Sequence, residues 1–201
     1  MLAAAHELRR QLEASGRYTV VMTRDGDVFL PLRQRVAIAR DARGDLFVSL
    51  HADSIGNRNV RGASVYTLSE NASDKEAAEL AARENKSDII AGLDLADHYD
   101  AEVAAILITL TQRETMNCSA VFASLLVPEI ARNAKTLGNA HRSAGFRVLK
   151  APDIPSILIE MGYLSNSKDE SFLSSKDGRQ KLMKSVLHGI DAYFKKDTCW
   201  T

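Results

Sequence analysis

The chain has 201 residues, of which 45% are hydrophobic and 26% charged, enough to bury the core of one domain with or without a large insertion. Its 26 basic and 26 acidic residues cancel, which excludes a global field that attracts nucleic acid or an anionic membrane. No apolar run is long enough to span a bilayer, and the first residues lack the pattern of a secretion signal.

The first part of the chain predicts alternating helices and strands. Leu8 and Leu12 lie on one side of an amphipathic helix that no capping residue precedes and that ends near Gly16. Helical spacing predicts a further helix over 32–42. Apolar and β-rich runs predict strands at 18–23, 46–50 and 63–68, and the strand at 46–50 is expected to be buried on both faces.

Residues 69–115 differ in composition and predict a helical insert. Ser73 and Asp74 resemble a helix start, 92–94 form a soft centre, and an apolar stripe follows at Val103, Ile106, Leu107 and Leu110. Beyond the insert we expect a helix over 120–137 that Pro128 kinks or restarts. Short strands at 146–149 and 156–159 and a helix over 176–194 complete the list.

This order of elements indicates an α/β or α+β fold with a central mixed β-sheet flanked by helices. No repeat or long linker divides the chain, so we expect a single domain over residues 1–201. Cys118 and Cys199 lie far apart and outside any CxxC pattern. They indicate neither a thiolate metal site nor a disulfide framework, and they leave the redox compartment open.

Two apolar runs each end on a residue that can do chemistry. The run at 46–50 delivers His51 to a polar turn, and the run at 156–159 leads into Glu160. Ligands of open α/β sheets bind at the carboxyl ends of strands, so we expect the two side chains to meet at one edge of one sheet. Burial at the rim of the core raises the pKa of a carboxyl group, which suits a general acid or base.

Structural roles remain open for both residues. His51 can be a strand-end histidine satisfied by backbone hydrogen bonds, and Glu160 can be a salt-bridged structural glutamate. Asp53 is interpreted as a turn former. His6, His98, His141 and His188 are not expected to be ligands, although His141, in a predicted loop, is a candidate for substrate contact. HExxH, P-loop, GxSxG and dinucleotide motifs are absent, and the lack of an HExxH-like pair disfavours a zinc peptidase.

The residues around these two positions carry a family resemblance. The motifs are Met22-Thr23-Arg24 with Asp27, the run 32–37, Ser49-Leu50-His51-Ala52-Asp53, the run 145–152, and Ile159-Glu160-Met161-Gly162-Tyr163-Leu164-Ser165-Asn166. Together they resemble the zinc-dependent N-acetylmuramoyl-L-alanine amidases that cut peptidoglycan during cell separation. The resemblance implies a periplasmic enzyme that cleaves the amide between N-acetylmuramic acid and L-alanine. It also implies one Zn²⁺ bound by His, Glu and His, with His51 as the last ligand and Glu160 as the catalytic glutamate.

The chain departs from that family pattern at its beginning. The family's first strand and its first two zinc ligands would precede a helix, whereas this sequence opens at Met1 inside that helix. The resemblance therefore implies an N-terminally truncated domain with an incomplete zinc site, which is not expected to hydrolyse peptidoglycan efficiently. The alternative is a non-catalytic remnant that binds peptidoglycan or a partner protein.

The insert at 69–115 resembles the regulatory segment of amidases that LytM-type activator proteins switch on. In those relatives a helix plugs the cleft and its glutamate occupies the open position on zinc. The resemblance implies that Glu84 is the candidate autoinhibitory ligand, with Glu79 second; the alternative is that both are solvated helix charges. The expected partners are peptidoglycan and such an activator, without nucleic acid or a membrane span.

Overall fold

A computed structural model describes residues 1–90, 104–196 and 199. Its helices are α1 Leu2–Ala14, α2 Leu32–Asp41, α3 Lys75–Asn85, α4 Ser87–Ile90, α5 Ala104–Ala131, α6 Ser167–Ser174 and α7 Lys176–Phe194. Its strands are β1 Phe47–His51, β2 Ala63–Leu68, β3 Thr136–Ala144 and β4 Ser156–Glu160, and one 3₁₀ turn spans Arg147–Leu149. No helix among these residues has the length and apolar character needed to cross a membrane.

The described strands form one mixed sheet in the order β1-β4-β2-β3. Strand β4 runs parallel to β1 and antiparallel to β2, while β2 and β3 are parallel. The register pairs Glu160 with His51 on one side and with Ser64 on the other. Because β4 is a central strand, the residue at its carboxyl end lies between two neighbouring strands.

Helices cover both faces of this sheet, as the sequence predicts. Ile157 and Ile159 belong to the core cluster that residues of α1, α5 and α7 complete. Leu158 belongs to the cluster on the other face, formed with residues of α2, α3 and the 3₁₀ turn. Strand β4 is buried over its whole length. Strand β1 packs Phe47 into one core cluster and Val48 and Leu50 against the other, but Val48 and Leu50 are only partly buried, so the expectation of two buried faces is met in part.

Several predicted elements are confirmed with close boundaries. Helices α1, α2 and α7 and strands β1, β2 and β4 lie where the sequence places them. The helix start predicted at Ser73 and Asp74 is confirmed, because the Asp74 side chain caps α3 by accepting the N–H of Ala77 at 2.8 Å. Residues 92–94 and Val103, which belong to the predicted soft centre and stripe, lie outside the described residues.

Other predictions are wrong for physical reasons. Residues 18–23 form no strand, since none of the described strands pairs with them, and 146–149 form a 3₁₀ turn instead of a strand. The 120–137 helix prediction missed β3, which starts at Thr136 and carries His141, so this histidine is not in a loop. Helix α5 continues through Pro128 rather than starting afresh there.

The two cysteines form a disulfide that joins α5 to the C-terminal end of the chain. Cys118 and Cys199 are bonded with Cα atoms 5.9 Å apart, which corrects the expectation that they form no disulfide. The sequence separation of 81 residues concealed the pair, because no short-range spacing pattern links them.

Candidate active site

His51 lies at the carboxyl end of β1 with its ring held by two side chains. Its Nε2 lies 2.9 Å from the Ser49 hydroxyl, two residues earlier on the same face of the strand. Its Nδ1 lies 3.1 Å from Oε2 of Glu84 on α3, and its side chain is 15% exposed. The ring is therefore bound by side chains, in contrast to the alternative of a histidine satisfied by the backbone.

Glu160 ends β4 and has no exposed surface. Its Oε1 accepts the backbone N–H of Asp53 at 2.6 Å, while its Oε2 is buried and has no hydrogen-bond partner among the described residues. Burial raises the pKa of this carboxyl well above its ordinary value, the Asp53 N–H works in the opposite direction, and the charges of Asp53 and Glu84 raise it further. In the part of the chain that is described, no ion pair neutralises Glu160, which disfavours the alternative of a salt-bridged structural glutamate.

The sheet brings His51 and Glu160 together. They are register partners on adjacent parallel strands, so their side chains leave the same face of the sheet. This face is the one that α2 and α3 cover. The sequence predicts that the two apolar runs end at the same edge of one sheet. The backbone register agrees, because it pairs His51 with Glu160.

Three consecutive residues at the end of α3 make contacts in two places, the end of the sheet that carries His51 and the loop that follows β3. Arg83 donates from Nη2 to Oδ2 of Asp53 at 2.5 Å, and Glu84 contacts His51. Asn85 donates from Nδ2 to the carbonyl of Gly145 at 2.8 Å and accepts the N–H of Arg147 at 2.8 Å. The C-terminal end of α3 thus covers the site through both charged and neutral contacts.

The cationic surroundings of the Glu84 carboxylate lower its pKa. Burial by itself raises its pKa, but the hydrogen bond to His51 and the charges of His51, Arg35 and Arg83 outweigh it, so its pKa lies below the ordinary value. Glu79, the second candidate, lies elsewhere: its side chain is 58% exposed and pairs with Lys75 at 3.8 Å.

Sequence reasoning missed the roles of Asp53, Arg83 and Asn85. No turn is formed at residues 52–55, so the interpretation of Asp53 as a turn former is wrong; its Oδ1 accepts the N–H of Ser54 at 2.7 Å, and its own N–H donates to Oε1 of Glu160. The available signal for Asp53 was its position two residues after His51. Arg83 and Asn85 flank Glu84 in sequence, so the prediction made for Glu84 could have been extended to these two polar neighbours.

Among the described residues, no hydrogen bond or ion pair joins another histidine to His51, Glu84 or Glu160. His6 and His188 are 44% and 46% exposed and approach Asp25 and Glu129 only at 3.9 Å. His141 lies 3.2 Å from the Thr67 hydroxyl and lines a cavity of about 330 Å³ near the carboxyl end of β2, the end of the sheet opposite Glu160. His98 lies outside the described residues.

The donor set around His51 tests whether a zinc ion fits. A catalytic zinc needs about three protein ligands. Within residues 1–90, 104–196 and 199, no group of three or more His, Cys, Asp or Glu side chains is arranged to hold a metal. His51 and Glu84 offer one imidazole and one carboxylate, so the described residues do not by themselves complete a zinc site.

Comparison with known proteins identifies what this arrangement is similar to. The family model described as N-acetylmuramoyl-L-alanine amidase matches residues 1–192. The chain is 40% identical over 195 residues to the N-acetylmuramoyl-L-alanine amidase AmiC of Escherichia coli O6:H1, covering 96% of this chain and 46% of AmiC. It thus spans about half the length of this curated relative.

Solved structures of amidases share the fold. The catalytic domain of CwlV, an N-acetylmuramoyl-L-alanine amidase from Bacillus (Paenibacillus) polymyxa, superposes with a TM-score of 0.67 at 24% identity, covering 96% of this chain and 82% of that one. The CwlD amidase from Clostridioides difficile, in complex with the GerS lipoprotein, gives a TM-score of 0.63 at 21% identity, covering 96% and 84%. Both likenesses extend over nearly the whole chain.

Proposed function

The chain belongs to the N-acetylmuramoyl-L-alanine amidase family, and on that premise we propose that it hydrolyses peptidoglycan at the amide between N-acetylmuramic acid and L-alanine. The observation that carries this proposal is the state of Glu160. Its carboxyl is fully buried beside His51, with one oxygen oriented by the Asp53 N–H and the other without a partner among the described residues.

Glu160 is the proposed general base and then the general acid. Its Oε2 takes a proton from a water molecule while the water oxygen adds to the lactyl carbonyl carbon. The carbon–nitrogen bond then breaks, and Glu160 returns the proton to the nitrogen of L-alanine. The raised pKa supports this role, because a carboxyl that binds its proton more tightly is a stronger base. The products are a lactyl carboxylate and a peptide with a free amine.

His51 is the proposed zinc ligand of this chain, as the family resemblance implies. One imidazole and one carboxylate bind zinc less tightly than three ligands, so we expect the chain by itself to lose zinc on dialysis and to hydrolyse peptidoglycan poorly. Metal analysis after dialysis of the 201-residue chain tests this expectation. One retained equivalent of zinc would contradict it.

Helix α3 is proposed to be an autoinhibitory plug. Glu84 contacts the ring nitrogen of His51 at 3.1 Å and leaves that side chain only 15% exposed, so substrate and Glu84 compete for one place. The pairs from Arg83 to Asp53 and from Asn85 to Gly145 support the same docked position. Activation would shift the population toward the state in which α3 is undocked. The size of the shift depends on how much more tightly an activator binds that state than the docked one.

An activator of the LytM type is the proposed partner of the insert. Its binding is expected to favour the undocked α3, since it would engage residues that the docked state occupies. The CwlD amidase, similar in fold, is in complex with the GerS lipoprotein, which supports partner binding as a property of proteins with this fold. The proposed location is the periplasm, and the Cys118–Cys199 disulfide supports an oxidising compartment.

A second candidate function has one observation in its favour. Because no metal-binding group of three side chains occurs among the described residues, a non-catalytic module that binds peptidoglycan or a partner protein also fits. Purified peptidoglycan distinguishes the two functions. In a form of the protein that carries a complete zinc site, an amidase supplied with zinc releases soluble peptides with new alanine amines, and Glu160→Gln reduces the release about 10²–10⁴-fold. A binding module sediments with peptidoglycan and releases none.

A further inference from the structure

A basic pocket lies at the same end of the sheet as Glu160 but on the opposite face. It has a volume of about 280 Å³, and Met161, which follows Glu160, forms part of its wall. Met161 packs into the core cluster of α5 and α7, whereas His51 contacts α3 on the other face. The pocket therefore lies outside the surface that α3 covers.

Cations dominate the polar lining of this pocket. Arg61, Lys135 and Lys168 line it together with a single carboxylate, that of Asp169. The Asp169 carboxylate is already engaged: Oδ2 accepts the N–H groups of Gly62 at 2.7 Å and Tyr163 at 3.2 Å, and Oδ1 lies 3.3 Å from Arg61 Nε. Neither lysine has a carboxylate partner among the residues that the structure describes, so the pocket carries an excess of positive charge.

Local backbone structure explains why these cations converge. Gly62 has φ +112°, and a Cβ there would lie 2.9 Å from the backbone of Thr136 and 3.1 Å from the Lys135 side chain. Only glycine allows that approach, which is secured by the Ala63 N–H donating to the Lys135 carbonyl at 2.7 Å. The start of β2, with Arg61, is thereby held beside Lys135.

The third cation comes from the first turn of α6. Asn166 caps this helix by accepting the N–H of Lys168 at 3.1 Å, and its Nδ2 donates to the carbonyl of Arg58 at 2.7 Å. The same residue therefore fixes the backbone at Lys168 and ties α6 to the loop that precedes Arg61. Three separate segments are held together here by specific hydrogen bonds.

We propose that this pocket binds a carboxylate of the stem peptide while the L-alanine amide lies at Glu160, an inference that rests on the proposed function. The amide to be cleaved is at the N-terminus of the peptide, so the rest of the peptide extends away from Glu160 toward a terminal carboxylate. Three or four extended residues span ~10–13 Å, and Met161, in the pocket wall, directly follows Glu160 in the chain. Arg61, Lys135 and Lys168 can form ion pairs and charged hydrogen bonds with a carboxylate. Met161 and Phe172 offer an apolar surface against which the aliphatic side chains of the peptide can pack.

A direct binding measurement tests this pocket without any hydrolysis. The probes are tetra-L-alanine with a free C-terminal carboxylate and the same peptide as its C-terminal amide, titrated into the isotope-labelled 201-residue chain and followed by NMR. We expect the acid to bind about three- to tenfold more tightly than the amide, with the Gly62 and Lys135 amide signals shifting, since each solvated ion pair contributes modestly. Equal binding of the acid and the amide, or no binding, would overturn the proposal.

Matched variants locate the effect. Lys135→Gln together with Lys168→Gln should weaken binding of the acid about three- to tenfold, because both exposed lysines lose their charge without disturbing the core. Lys150→Gln, an exposed lysine beside the 3₁₀ turn on the other face, is the control and should bind like the parent chain. Equal effects of the control and the double variant would also overturn the proposal.

Different experimental results would reject the pocket proposal and the amidase proposal. Binding of the acid that depends on Lys135 and Lys168, in a protein that never releases alanine amines, supports the pocket and rejects the amidase. Release of alanine amines with a KM that the double lysine variant leaves unchanged rejects the pocket and supports the amidase.

Discussion

Oε2 of Glu84 lies 3.1 Å from Nδ1 of His51, so helix α3 and the candidate metal ligand meet in a direct side-chain contact. Burial raises the pKa of Glu84, but the hydrogen bond to His51 and the neighbouring cations lower it further than burial raises it. The contact therefore favours the ionised carboxylate over the neutral acid. The docked state of α3 gains from it at neutral pH and loses that gain as pH falls through the lowered pKa.

Glu84→Ala is expected to raise basal hydrolysis in a form of the protein that carries a complete zinc site. Removal of a charged hydrogen bond of about 1.5–3 kcal/mol shifts the docked population by roughly 10–100-fold, which is the upper bound of the activation. Release of alanine amines from peptidoglycan without activator measures it. Glu79→Ala is the control, since Glu79 is exposed and, among the described residues, forms an ion pair with Lys75 alone. Unchanged basal release in Glu84→Ala would remove Glu84 from the mechanism.

Arg83→Gln is expected to weaken the docking of α3 to a smaller extent. The Arg83 side chain is 47% exposed, so its pair with Asp53 contributes roughly 0.2–1 kcal/mol, or about a 1.4–5-fold change in opening. Hydrogen exchange of the α3 amides measures this change. Arg132→Gln, which breaks the exposed pair with Glu129 on α5, should leave that exchange unaltered.

The same variant has a second readout at Glu160. In the docked state Arg83 lowers the pKa of Glu160, so Arg83→Gln should raise that pKa when the carboxyl is titrated by NMR without an activator. An unchanged Glu160 pKa would confine the role of Arg83 to helix docking.

Glu160→Gln is expected to stabilise the fold at neutral pH while it removes activity. The folded state raises the Glu160 pKa above its unfolded value, chiefly by burial, so the folded protein holds a proton that the unfolded chain releases. The parent chain therefore loses stability as pH rises from the unfolded pKa through the folded one. We expect the Tm of the metal-free variant to exceed that of the parent by at least ~2 °C at pH 8, about 1 kcal/mol, with the difference vanishing below pH ~4. A Tm lower than the parent's at pH 8 would contradict the burial of an unneutralised charge.

Reduction of the disulfide is expected to lower the free energy of unfolding. The bridge between Cys118 and Cys199 closes a loop of 81 residues, and such cross-links contribute about 2–4 kcal/mol. Denaturant unfolding of Cys118→Ser with Cys199→Ser, compared with the oxidised parent, measures the loss. Equal midpoints would show that the cross-link does not constrain the unfolded chain.

The sequence predicts best those elements whose local residue pattern agrees with their burial and strand pairing in the fold. The continuous apolar run before Glu160 predicts a central strand, and β4 is buried over its whole length. The run at 18–23 is also β-rich, but none of the described strands supplies it with a partner. Strand β3 contains only Thr136 as a β-branched residue, and its pairing with β2 determines its conformation.

The candidate site shows the same division. His51 and Glu160 could be predicted because strand ends of one sheet converge by topology, and the register confirms that they are partners. The contacts of Arg83 with Asp53 and of Asn85 with Gly145 join residues separated by 30 and 60 positions. No spacing pattern encodes such contacts, because they depend on how α3 packs across the edge of the sheet.

The most direct test compares zinc-dependent release of alanine amines by Glu84→Ala with release by Glu84→Ala combined with Glu160→Gln. Both variants are made in a form of the protein that carries a complete zinc site. If Glu160 supplies the proton chemistry at a site that Glu84 covers, the single variant is active without an activator and the double variant loses about 10²–10⁴-fold of that activity. Equal release by the two variants would contradict the assignment of Glu160, and with it the shared site of His51 and Glu160.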